Sequence, residues 1–218
     1  MDVQMLEKLI QQHIDNYRKG IVDIIHNNTN MFIDDIVSFV GKPPLDSMDY
    51  IQKNFLDIAK KNKIVFNTKE LNTLLDNYRS EIIDCCEKIK EIRLDNLLAM
   101  VDCFSFDNFE IFSFYKKNFT ILNRKMRNTL KTQIMDSFEG KILPKIDTLF
   151  SDEVTEDCRN KVIQEITKYV KNNYLKQVID TFEMKLLVKD TILINGVREQ
   201  SDRYIFTINN SRLLNNLD

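Results

Sequence analysis

Glycine and proline are scarce in this chain: Gly20, Gly41, Gly140 and Gly196, with Pro43, Pro44 and Pro144, are the only residues of either kind among 218. Turns need residues that adopt unusual backbone angles or surrender an amide, so long stretches without them are free to run as helix. The same shortage excludes a glycine-rich phosphate cradle, a dinucleotide-binding turn and a strand-to-helix nucleophile elbow. Histidine is rarer still. His13 and His26 are the only two, and although Asp23 lies one turn from His26, no paired-histidine or Glu-x-x-His arrangement completes a metal centre. No cofactor, metal ion or small-molecule substrate is therefore expected, and the chain reads as a non-enzyme.

Charge of one sign is also lacking. With 31 basic against 33 acidic side chains, the formal charge is -2, so no global attraction to nucleic acid or anionic membrane exists and any such binding must come from a local patch. No apolar run approaches the roughly 18 residues a membrane span requires. The first residues carry acidic Asp2 and Glu7 rather than a charged-then-apolar leader pattern, and a soluble, cytoplasmic protein is expected. Four cysteines, Cys85, Cys86, Cys103 and Cys158, are too few and too irregular for a secreted disulfide framework. Adjacent Cys85 and Cys86 read as small buried hydrophobes. The abundance of Asn, Ile and Lys points to AT-rich coding, as in a low-GC bacterium or phage.

What is present is helical periodicity. Leu6, Ile10, Ile14, Tyr17, Ile21 and Ile25 form one stripe, and Phe32, Ile36 and Phe39 another. The polar Asn27, Asn28, Thr29 and Asn30 lie between them and predict a break, with Thr29 or Asn30 capping a second helix. Gly41 and Pro43-Pro44 end that segment. Asp46 or Ser47 caps a helix to about Lys61, and Asn67 or Thr68 caps the next. From Leu75, apolar residues continue through Tyr78, Ile82, Cys85, Ile89 and Ile92 as a heptad-like seam, which needs a long partner from the same chain or from a second copy. A further helix should stop near Gly140, Pro144 should open a short one, and Ser151 or Asp152 should begin the last. Acidic Asp152, Glu153, Glu156 and Asp157 suit its positive end. The runs Thr191 to Ile194 and Tyr204 to Ile208, separated by Asn195-Gly196 and Ser201-Asp202, predict two short strands.

Two internal echoes stand out. Asp15-Asn16-Tyr17-Arg18 with Ile21 returns as Asp76-Asn77-Tyr78-Arg79 with Ile82, and Gln133 to Glu139 resembles Gln177 to Glu183. Either an old duplication of a helical hairpin or a shared amphipathic alphabet accounts for them; unequal offsets exclude a regular solenoid.

The fold expected is thus an all-α, elongated bundle of five or six long helices with a small C-terminal β-hairpin. It is read as a single domain over 1–218, made of an N-terminal helical segment (1–41), central long helices (45–139), C-terminal helices (145–189) and the hairpin (190–209). Function is expected at surfaces. Lys116, Lys117, Arg124, Arg127 and Lys131 share one face of a helix at 100° per residue, with no acidic residue from 111 to 135, so they form a candidate site for an anion or an acidic partner. A basic solvent face balanced by acidic helices is the simpler meaning. Beside it lies a dense aromatic cluster, in which Phe109, Phe114 and Tyr115 are candidate apolar partner contacts. The expectation is a non-catalytic protein-protein interaction or assembly module, an adaptor or an oligomer such as a homodimer. Nucleic-acid or anionic-membrane binding through 116–131 is the alternative.

Overall fold

The computed structural model describes residues 3–41, 48–103 and 111–215, apart from some side chains near the ends of these segments. Every regular element among them is helical. The helices are α1 (Val3–Gly41), α2 (Met48–Lys61), α3 (Thr68–Cys103), α4 (Ile111–Ser137), α5 (Leu143–Asp147), α6 (Glu156–Tyr169) and α7 (Leu175–Asn215). Two π-helical turns, Phe138–Ile142 and Val170–Tyr174, join α4 to α5 and α6 to α7, so the described residues form five continuous helical stretches. The all-α bundle expected from the sequence is what forms.

Local chemistry explains the ends. Asn67 caps α3: its Oδ1 accepts from the amides of Lys69 at 3.0 Å and Glu70 at 3.4 Å, while its amide nitrogen donates to Glu70 Oε1. That reciprocal pattern satisfies amides the helix itself leaves without partners. Helix α2 ends in a Schellman turn, in which Ile64 N–H donates to Ala59 O at 2.8 Å and Lys63 N–H to Lys60 O at 2.9 Å. Lys63 occupies the left-handed position there, with φ of 59°, where glycine is the usual occupant.

Two expected boundaries move. The stop near Gly140 is replaced by the first π turn, in which Leu143 N–H reaches Phe138 O. Pro144 has no amide to offer the Gly140 carbonyl and its ring presses on that carbonyl, and widening the turn accommodates both demands without ending the rod. Helix α6 begins at Glu156, with extended Thr155 before it, rather than at Ser151 or Asp152. Arg159 holds the preceding loop by donating to Ser151 O at 2.8 Å and Val154 O at 3.2 Å. Glu156 and Asp157 are the acids in its first turn; Asp152 and Glu153 lie in the loop. Asp46 and Ser47, expected to cap α2, lie outside the described residues.

The chain's contacts gather into two compact units. One comprises Ile33–Lys90 and Lys125–Lys185. Its core is built on the seam predicted from Leu75: Leu75, Tyr78, Ile82, Cys85 and Ile89 are all buried. The partner of that seam is the chain itself, since the Tyr78 ring lies 5.5 Å from that of Phe138 and 6.2 Å from that of Tyr174. Burial pushes the Tyr78 hydroxyl well above its ordinary pKa and the Cys86 thiol up to about 12. The other unit comprises Met1–Phe32, Glu91–Arg124 and Leu186–Asp218. There Tyr17 stacks on Tyr204 with centroids 4.5 Å apart, and Ile21, Ile25, Leu97, Leu193 and Val197 fill the interior. The echoing tyrosines are therefore both core residues, as are Phe138 and Phe182 of the second echo.

Two corrections concern this second unit. The expected break at Asn27 to Asn30 does not occur: α1 is continuous, and Asn28 and Thr29 are buried. Asn28 does not compete for its own backbone, because its amide donates to Lys189 O and its oxygen accepts from Arg93. The C-terminal β-hairpin at 190–209 is also absent; those residues belong to α7. Asn195-Gly196 makes no turn. A Cβ added at Gly196 would lie 3.1 Å from Ile24 Cγ2, and one at Gly20 would meet the Gln200 side chain. The two glycines thus permit close passage of α1 and α7. Leu186, Leu193, Val197 and Tyr204 are buried at helical spacing through this β-branched segment, so burial rather than local preference decides.

Candidate interaction surface

The five cations expected on one side of α4 are each exposed. Lys116, Lys117 and Arg124 are exposed on the first part of that helix, and Arg127 and Lys131 are exposed on the second. Their apolar counterparts Phe119, Leu122, Met126 and Leu130 are buried, so the charge segregation read from periodicity is real. Arg127 is already engaged, with Nε 2.8 Å from Glu183 Oε1. The other four form no ion pair among the described residues. Phe109 lies outside the described residues; Phe114 and Tyr115 lie on α4, but their side chains are also outside the described set.

Periodicity does not reveal a charged cluster inside the unit containing Glu91–Arg124. Arg93, fully buried, donates from Nη2 to Asp190 Oδ1 at 2.7 Å and to Asn28 Oδ1 at 2.8 Å, and its guanidinium lies 5.4 Å from the centre of the Phe32 ring. Asn123 donates to the other Asp190 oxygen at 2.7 Å. Four helices, α1, α3, α4 and α7, each contribute one polar side chain. Arg93 Nε and Nη1 and Asn123 Oδ1 have no hydrogen-bond partner among the described residues. Removing two charges from water costs several kcal/mol each, so the pair adds little net stability, whereas losing one member leaves the other uncompensated. The sequence carries a faint signal of it. Asn28, Arg93 and Asp190 each interrupt an apolar stripe, between Ile25 and Phe32, Ile89 and Leu97, and Leu186 and Leu193. Heptad spacing continues the seam to Ile92 instead, which is only half-buried.

Burying Asp190 has a consequence on the opposite side of α7. Lys189 and Asp190 are 7% and 5% exposed. Taking Asp190 as zero at 100° per residue, Leu187 falls near 60°, Thr191 near 100°, Met184 near 120°, Val188 near 160° and Ile192 near 200°. All five face solvent, Leu187 at 69%, Met184 at 58%, Val188 at 50% and Ile192 at 46% exposure. Polarity is inverted here: the charged pair is inside and a continuous apolar face is outside. Thr191, exposed among them, donates its hydroxyl to Leu187 O at 2.9 Å.

Other places offer less. A cleft of about 530 Å³ lined by Asn62, Lys63, Val65, Glu153 and Cys158 is shallow. His26 is exposed and His13 half-buried, both on α1. No helix among the described residues is long and apolar enough to cross a membrane. Compared with protein-family models, curated proteins and solved structures, the chain has no significant match to any.

Proposed function

We propose that this chain is a non-catalytic interaction and assembly module that binds protein through a helical surface. The observation carrying this reading is the inverted stretch of α7, where Met184, Leu187, Val188 and Ile192 are exposed while Lys189 and Asp190 are buried. Isolated exposed apolar residues are ordinary on any surface, but a run along one helix face marks a contact. A photo-crosslinking side chain at Val188 of the full chain, activated in extract of the native host, tests it. Discrete protein adducts that vanish when Leu187→Glu is added support the reading. Adducts no more abundant than from exposed Lys171 would end it.

A second reading, binding of nucleic acid or an anionic membrane, draws on the four exposed α4 cations without an ion pair, Lys116, Lys117, Arg124 and Lys131. It requires binding that falls steeply with salt and disappears in the Lys117→Glu, Arg124→Glu double variant with the helical signal intact. Salt-insensitive binding, or none, removes it.

A further inference from the structure

The first part of α4 and the connection from α5 to α6 carry complementary patterns. Each lies wholly within one compact unit: Lys116 to Arg124 in the unit containing Glu91–Arg124, and Ser151 to Asp157 in the unit containing Lys125–Lys185. Taking Lys116 as zero at about 100° per residue, Arg124 falls near 80°, Lys117 near 100° and Ile121 near 140°. Ile121 is 71% exposed and stands one turn from Lys117 and one turn from Arg124, so a protruding apolar side chain is bracketed by cations. No acidic residue lies between 111 and 124. The connection has the opposite character. Asp152, Glu153, Glu156 and Asp157 are all exposed, none forms an ion pair among the described residues, and no cation falls between 151 and 157. Arg159, next along α6, is turned onto the carbonyls of Ser151 and Val154 and the ring of Phe150. Glu153 and Val154 line the cleft of about 530 Å³, as does Val65, which at 90% is the most exposed large apolar side chain among the described residues. Lys63 lines it too, outnumbered by the four carboxylates.

Single exposed apolar side chains are ordinary on a protein surface. Here one chain carries both an apolar knob bracketed by positive charge and a valine-lined cleft bordered by negative charge. We infer that the α4 face docks the acidic α5–α6 connection of a second copy, with Ile121 seated between Val65 and Val154 and with Lys117 and Arg124 against Glu153 and Glu156. Apolar contact lies at the centre of this interface and ion pairs surround it. The two surfaces differ, so the contact is heterologous and copies join head to tail, closing into a ring or running on as a chain. It uses neither the α7 face nor the Leu75 to Ile89 seam, and therefore stands apart from the crosslinking result at Val188.

The test is sedimentation velocity of the full chain at low salt over rising concentration. Wild type associates, and the association weakens as salt rises. Lys116→Glu, Lys117→Glu and Arg124→Glu together make both surfaces acidic, whereas Asp152→Lys, Glu153→Lys and Glu156→Lys together make both basic. Each triple variant alone raises the dissociation constant by about tenfold or more. Mixed in equal amounts the two associate again, because the reversed α4 face meets the reversed connection and the unaltered surfaces meet each other. Ile121→Ser weakens association at unchanged charge. Circular dichroism confirms that every variant remains helical. A strictly monomeric wild type overturns the inference, as does association indifferent to either reversal or to Ile121→Ser, or a mixture that fails to recover. If a monomeric wild type instead retains an oligonucleotide or anionic vesicles in a manner the α4 variant abolishes, head-to-tail pairing fails and the α4 face belongs to the second reading. Crosslinking from Val188 is scored separately, so failure of this inference and failure of the α7 reading are told apart.

Discussion

Replacing Asp190 by Ala isolates what the buried cluster contributes. The substitution removes the 2.7 Å ion pair of fully buried Arg93 and the acceptor of the Asn123 amide. Arg93 retains only Asn28 Oδ1 at 2.8 Å and the face of Phe32. Leaving one member of a buried pair uncompensated costs about 3–5 kcal/mol. In a chain of this size each kcal/mol shifts the melting temperature by about 2–4 °C, so a fall on the order of 10 °C is expected. Urea titration followed by far-ultraviolet circular dichroism and by tyrosine fluorescence measures it, coincidence of the two probes establishing a single transition. Two controls sharpen the result. Asp102→Ala breaks an exposed pair with Arg18, whose atoms are 3.4 Å apart, and should cost less than about 1 kcal/mol. The double substitution Arg93→Met, Asp190→Leu removes both charges while keeping volume, and should recover most of the loss. If Asp190→Ala costs no more than Asp102→Ala, or the double variant is as unstable as the single, the cluster does not behave as a coupled buried pair.

Three further outcomes are expected. Lys63→Gly relieves a left-handed backbone at the end of α2 and should stabilise the fold by about 1 kcal/mol in the same urea assay; a loss would show that the Lys63 side chain outweighs the strain. In the native protein exposed Cys103 reacts at once with a thiol reagent, whereas Cys86, its thiol pushed up to about 12 by burial, reacts only as fast as the protein opens, so equal rates would contradict the packing of α3. The Glu81 carboxyl is held below its ordinary range chiefly by the hydrogen bond from Lys141 at 2.6 Å, and its contribution to stability is present above the ordinary carboxylate range and lost as pH falls through the depressed value. Lys141→Met should therefore move the Glu81 midpoint upward in a carboxyl carbon titration by nuclear magnetic resonance; an unmoved midpoint refutes the assignment.

Some of the candidate surface is legible in the order of residues. Amphipathic spacing alone places Lys116, Lys117, Arg124, Arg127 and Lys131 outside and Phe119, Leu122, Met126 and Leu130 inside, because a helix turning 100° per residue leaves little choice once one face is apolar. The α7 face is not legible for a definite reason. Met184, Leu187, Val188 and Ile192 look like core when read singly, and only the burial of Asp190 against Arg93 rotates them outward. Glu183 beside them is equally unreadable as the partner of Arg127, since that pairing depends on two helices far apart in sequence.

By itself the sequence determined that the described chain ahead of residue 190 would be helical, that α3 would be capped at Asn67 or Thr68, and that the stripe from Leu75 would be buried, as it is through Ile89 but not at the expected Ile92. Those outcomes follow from breaker scarcity, an Asn at a cap and periodicity, all of which act within a few residues. The tertiary structure decided the rest. It kept α1 continuous through Asn28 and turned Thr191 to Ile208 into helix around Gly196 rather than strands around it. It also gave three polar interruptions one another as partners. Local preferences differ by less than about 1 kcal/mol per residue, whereas burying an apolar side chain or orphaning a buried charge is worth several times that, so long-range packing prevails wherever the two disagree.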